Sequence, residues 1–126
     1  MKKIILDTNF LLIPAQFKVD IFSEIERVCD FKYSLNVLDK TVGELKGIVQ
    51  KQKGKQKLAA ALALKLLKAK KVKVIKTEKG KYVDDVLVEM AKKGDILVAT
   101  QDRALKKRLK VPLILLRQKK YLVIVG

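Results

Sequence analysis

Asp7, Glu44, Asp84 and Asp102 are four of only 13 acidic residues in a chain that carries 29 lysines and arginines and no histidine. Without imidazole, Ser-His-Asp and Cys-His nucleophile chemistry are both excluded. The single cysteine, Cys29, can form neither an internal disulfide nor a zinc site by itself. Phosphodiester hydrolysis remains open by another route. A divalent ion held by carboxylates can activate water and neutralise the charge that develops on phosphate. Mg²⁺ and Mn²⁺ suit such a set, because a few carboxylates with water and substrate complete their oxygen shell. Three or four convergent acids are the signature of that chemistry.

Each acid also has an ordinary structural role open to it. Asp7 lies in the polar turn Asp7-Thr8-Asn9, where aspartate commonly bonds the local backbone. Asp102 falls in the first turn of a helix that Thr100 can cap, where the helix dipole welcomes an acid. Glu44 borders an apolar stripe, and one of Asp84 and Asp85 serves as an N-terminal helix acid.

Charge adds a second line. The net charge of +16 draws the chain to polyanions, of which nucleic acid is the commonest. A lysine-rich surface of the thermophile kind is the competing explanation. With 126 residues, 49% of them apolar, the chain is long enough for one hydrophobic core, and we expect a single domain over 1–126. Asp7 and Asn9 interrupt the opening apolar run, and no segment approaches the roughly 18–20 apolar residues of a membrane span. The expectation is a soluble, cytoplasmic protein that makes no membrane contact.

The elements that must position these acids follow from periodicity. Residues 3–6 predict a strand. Val19–Val28 predicts a helix on the three-residue recurrence of Val19, Phe22, Ile25 and Val28. Residues 33–35 predict a short strand and Val37–Val49 a helix. The basic tract 50–57 separates it from a helix over 58–69. Strands at 72–75, 96–99 and 113–116 then alternate with helices at 82–92 and 101–109, and 121–125 adds an edge strand. Such alternation implies an α/β fold, a mostly parallel central sheet with helices on both faces. Ligands of open α/β sheets sit beyond the carboxyl ends of strands, where Asp7 and Asp102 fall.

Adjacent helical residues point about 100° apart. On a helix whose inner face is Val83, Val86, Leu87, Met90 and Ala91, Asp84 lies roughly 80–90° from the middle of that face, at its border. Asp85 lies nearly opposite the middle and is expected to face water.

The segments IILDTNFLL (4–12), VGELK (42–46), VDDVLVEMA (83–91) and VATQDRALKKRL (98–109) resemble the four acidic motifs of PIN-domain nucleases. DTNFLLIPAQF followed by DIFSEIERV, and the ATQDRALKKR segment, are most similar to the archaeal and eukaryotic branch that includes small-subunit ribosomal RNA processing endonucleases. The resemblance implies a three-layer α/β/α sandwich and a site for Mg²⁺ or Mn²⁺. It further implies endonucleolytic cleavage of RNA by water, with ribosomal RNA precursor as one candidate target. By this resemblance Asp7, Glu44, Asp84 and Asp102 are the catalytic, metal-binding acids, and Asn9 and Thr100 are the polar residues beside them.

RNA contact is expected from two basic tracts. Lys46, Lys53 and Lys55, with Lys51 and Lys57, form one; Arg103, Lys106, Lys107 and Arg108, with Lys110, form the other, beginning beside Asp102. Such contact is sequence-independent and salt-sensitive. The seven aromatics lie mostly in apolar contexts, which argues against a base-stacking platform. The apolar 58–67 stretch is either core or a homodimer interface, and a protein partner setting specificity is left open. Two rivals share the fold: a toxin ribonuclease governed by an antitoxin, and a non-catalytic PIN-like RNA-binding module. A phosphatase with a covalently phosphorylated aspartate is disfavoured, since it needs a second aspartate where this chain has Asn9.

Overall fold

A strand segment that is apolar on both sides must be covered on both faces, and Ile4–Leu6 of β1 (Lys2–Leu6) shows how. Ile4 and Leu6 enter the larger hydrophobic cluster on one face of the sheet, while Ile5 enters the smaller one on the other. The computed structural model describes residues 1–126. After β1 the chain forms two one-turn helices, α1 (Thr8–Leu11) and α2 (Ile13–Phe17), then α3 (Ile21–Val28). There follow β2 (Tyr33–Leu38), α4 (Asp39–Lys51), α5 (Gly54–Ala69) and β3 (Lys73–Ile75). The remainder is α6 (Val83–Lys92), β4 (Ile96–Ala99), α7 (Leu105–Leu109), β5 (Leu113–Arg117) and β6 (Tyr121–Val125).

The six strands stand in the order β3-β2-β1-β4-β5-β6. The first five are parallel, and β6 closes one edge antiparallel to β5. The large core includes Phe10, Ile21 and Ile25 and alanines of α5. The small one is filled by Val86 and Leu87 of α6 and Leu105 and Leu109 of α7. This is the three-layer α/β/α arrangement expected. No helix is long and apolar enough to cross a membrane.

Both sheet edges are protected. β3 is short and ringed by lysines. At β6, the Leu122 N–H donates to Glu24 Oε1 (3.0 Å) and Arg27 Nη2 donates to Leu122 O (2.9 Å). Two side chains of α3 thus satisfy backbone groups that would otherwise template another strand. Arg27, and next the Leu122 N–H, hold the Glu24 carboxyl below its ordinary range.

Several boundaries differ from expectation. Residues 33–35 are only the start of a strand that runs to Leu38, so the helix expected from Val37 begins at Asp39. Val37 and Leu38 are both fully buried, but in opposite cores. The following helix starts at Gly54 rather than residue 58, leaving only Gln52 and Lys53 between α4 and α5. The expected turn at Thr8-Asn9 is the start of α1, and α2 follows in a stretch to which periodicity assigned no element. The helix expected over 101–109 is confined to Leu105–Leu109. Within 58–67, Ala59, Ala60, Ala63 and Leu67 are core, whereas Leu58 remains 68% exposed.

Candidate active site

The chain order β1, β2, β3 moves outward in one direction, and β4 then returns to the other side of β1. The crevice beyond the carboxyl ends of β1 and β4 is therefore the topological switch point. Asp7 follows β1 there and caps α1: the Thr8 N–H donates to its Oδ1 at 2.9 Å. Thr100, fully buried at the end of β4, donates from Oγ1 to Asp7 Oδ2 at 2.8 Å. The same hydroxyl accepts from the Asp102 N–H (3.0 Å), and Asp102 Oδ1 accepts from the Ala104 N–H (2.9 Å). Asp102 thus stands in a side-chain-braced turn ahead of α7, not in its first turn, and Thr100 caps that turn rather than a helix.

Asn9 completes the brace. Its Oδ1 accepts from the Gln101 N–H (3.0 Å), and its backbone carbonyl accepts from Gln101 Nε2 (2.7 Å). Sequence reasoning had not singled out Gln101; its only signal was its place between Thr100 and Asp102 in the βα turn from β4 to α7. Glu44 enters from α4 and Asp84 from the first turn of α6.

These residues line one shallow cavity of about 300 Å³: Asp7, Thr8, Asn9, Leu12, Glu44, Val83, Asp84 and Asp102. All four expected acids converge, and no lysine or arginine is among the lining. Two of these acids, Asp7 and Glu44, hold their protons more tightly than usual. Asp7 is held above its ordinary range chiefly by burial, opposed by the Thr100 and Thr8 hydrogen bonds and reinforced by Asp84 and Asp102. Glu44 is raised as well, by burial of its carboxyl group first; the nearby Thr8 hydroxyl opposes this, and Asp7 and Asp84 add to it. Thr8 Oγ1, beside Glu44, is buried and makes no well-formed hydrogen bond within the protein.

The donor set is hard oxygen throughout, which suits Mg²⁺ or Mn²⁺ better than softer ions. No three of the carboxylates stand close enough together to share one ion as they are placed. Asp7 is fixed by two hydrogen bonds and Asp102 by one, so closure on an ion would fall first to Glu44 and Asp84.

The basic tracts are not part of this cavity. Arg108 reaches its edge, with Nη1 3.7 Å from Asp84 Oδ2 and Nη2 donating to Asp85 Oδ1 at 3.0 Å. Asp85 is exposed as expected, yet it is paired rather than free in water. Lys106 and Lys107 are exposed on α7 without ion pairs, and Arg103 lines a neighbouring cavity. Lys46 and Lys53 are exposed, whereas Lys55 borders a small groove with Leu12 and Ile48.

A switch-point crevice that gathers four carboxylates and has no basic side chain in its lining defines a carboxylate-centred α/β/α protein. Residues 4–119 match the family model described as "PIN like domain", and the chain belongs to that family. It is 36% identical to Ribonuclease VapC4 of Methanocaldococcus jannaschii over 132 aligned residues, covering 100% of this chain and 98% of the relative. It is 32% identical to Ribonuclease VapC9 of Archaeoglobus fulgidus, covering 84% of this chain and 74% of the relative. Among solved structures, the PIN domain endonuclease Utp24 superposes with a TM-score of 0.78 at 25% identity, over 97% of this chain and 90% of that one.

Proposed function

We propose that this protein is an endoribonuclease that hydrolyses RNA phosphodiester bonds with a divalent cation, Mg²⁺ or Mn²⁺, held by Asp7, Glu44, Asp84 and Asp102. The observation that carries the reading is the cavity of four convergent acids and no lining base in an otherwise strongly basic protein. The names of its relatives, ribonucleases and an endonuclease, point the same way. The bound cation supplies an activated water and neutralises charge on the phosphate. Thr100 and the Thr8 N–H hold Asp7 in one rotamer, and Asn9 and Gln101 lock the β1 and β4 ends together. A pure RNA-binding module gains nothing from four carboxylates where phosphate must approach.

Ribosomal RNA precursor as the target rests on the motif resemblance. Control by an inhibitory protein, or assembly with a second copy, rests on exposed Leu58 and Leu62 of α5. We place the activity in the cytoplasm and in one domain. The direct test is incubation of pure protein with structured RNA and Mn²⁺. Cleavage is expected to vanish with EDTA and return with excess Mn²⁺ or Mg²⁺; undiminished cutting in chelator sinks the metal mechanism.

The basic side chains act on binding. Replacing Lys106 and Lys107 with alanine is expected to weaken binding across unrelated RNAs and to reduce the slope of log K against log [salt] by about one per lost phosphate contact. An unchanged slope returns these lysines to the plain solvated surface. Arg108, engaged by Asp84 and Asp85, contributes to phosphate binding only when it leaves them.

A further inference from the structure

Beside the acidic cavity lies a second one of about 390 Å³, in the size range of ligand pockets. Gln101 joins the two, because it lines this cavity and bonds Asn9, which lines the acidic one. We propose that this second cavity receives one unstacked nucleobase of single-stranded RNA, next to the phosphate held over Asp7 and Asp102. The inference rests on the ribonuclease reading and adds a determinant of which RNA is cut.

The lining has the parts such a subsite needs. Phe17, at the end of α2, supplies a partly exposed aromatic ring, and Leu115 of β5 supplies an apolar floor. Bases stack on such rings whatever their sequence. The Lys119 ammonium stands over the Phe17 ring, 5.8 Å from its centroid. At an exposed site that contact is weak enough for a base to replace. Gln118 has no side-chain partner in the protein, so its amide is free to both donate and accept. Gln101 must direct its NH₂ group at the Asn9 carbonyl, which leaves Oε1 to accept from a base edge. Arg103 and Lys119 form no ion pair, unlike Arg108, and stand free for the flanking phosphates.

The backbone agrees with a shaped site. Gln118 and Lys119 occupy the two central positions of the β5–β6 hairpin with φ of 53° and 56°. The turn closes through the Lys120 N–H to Arg117 O at 3.0 Å. These are type I′ positions that usually hold asparagine and glycine. Two long polar side chains are kept there, aimed from a turn that disfavours them. The proposed subsite departs at Phe17 from the expectation that the aromatics offer no base-stacking platform.

The test measures binding in EDTA, so no cleavage is needed. Fluorescent RNA pentamers carrying five abasic riboses, one central base or five bases are titrated against the full-length protein by anisotropy. One base is expected to tighten binding about tenfold over the abasic pentamer, in line with one stacked base, and the remaining four are expected to add less than the first. Phe17→Leu, which keeps apolar volume, is expected to lose that gain while binding the abasic pentamer as the wild type does. Gln118→Ala, at an exposed turn, is expected to reduce the gain in part and to flatten differences between bases. Equal binding of abasic and one-base pentamers overturns the subsite, as does a Phe17→Leu protein with the gain intact. A base-dependent gain in a protein that never cleaves RNA with Mn²⁺ would keep this subsite and reject the nuclease reading.

Discussion

Asp7→Asn is expected to abolish cleavage, to leave RNA binding intact or tighter, and to raise the melting temperature. The first effect is the largest. Asp7 is the acid fixed most firmly in the cavity, and loss of the charge that anchors the cation removes several kcal/mol of transition-state stabilisation, roughly a 10³-fold or greater fall in rate. Binding moves oppositely, because one negative charge facing phosphate disappears.

The stability effect follows from the proton affinity. Burial raises the Asp7 pKa in the folded protein above its value in the unfolded chain. The folded state therefore binds this proton more tightly, and ionisation of Asp7 destabilises it as pH rises through that window. At neutral pH the wild type carries that penalty and the neutral amide does not. Asparagine also preserves the local bonds: its Oδ1 can accept from the Thr8 N–H, and its NH₂ can donate to Thr100 Oγ1. A thermal melt without metal should gain on the order of a few degrees, and the gain should shrink toward pH 4. Added Mn²⁺ should stabilise the wild type and not the variant. A variant that cuts at the wild-type rate removes Asp7 from the site.

What sequence could carry here was set by range. Asp7 and Asp102 were legible because a β-strand followed by an acid at a switch point is a local pattern. Glu44 and Asp84 needed helix phase, and the phase held because their inner faces, Leu45 in one and Val86 and Leu87 in the other, are buried. The misplaced boundary at Val37–Leu38 has a physical cause. Two consecutive apolar residues fit either a helix stripe or a strand buried on both faces, and only the second core decides between them. The short α7 has another cause: the Thr100 and Asp102 side chains take backbone N–H groups at 102 and 104 and build a turn where composition favours helix. Contacts between distant residues were beyond local reading altogether, among them Gln101 with Asn9 and Arg108 with Asp84 and Asp85.

The pair Asp84 and Asp85 gives the sharpest discrimination. Both open α6, both are about half exposed, and both face the Arg108 guanidinium, so composition and charge treat them alike. Geometry does not: Asp84 lines the acidic cavity and Asp85 does not. Asp84→Asn is expected to cut the metal-dependent rate at least about 100-fold, the upper end of what loss of a group tuning a metal site produces. Asp85→Asn is expected to change the rate at saturating Mn²⁺ by less than about threefold, since exposed ion pairs contribute little. Its effect should appear in the metal requirement instead. Freed from Asp85, Arg108 can turn wholly to Asp84 and compete with the cation for that carboxylate. The Mn²⁺ midpoint should therefore shift upward in Asp85→Asn and return toward the wild-type value when Arg108→Ala is added. Cleavage rates of all these proteins across one Mn²⁺ titration decide the matter. If Asp85→Asn is dead at saturating metal while Asp84→Asn still cuts, the face of α6 that serves the site is one residue out, and the carboxylate set becomes Asp7, Glu44, Asp85 and Asp102.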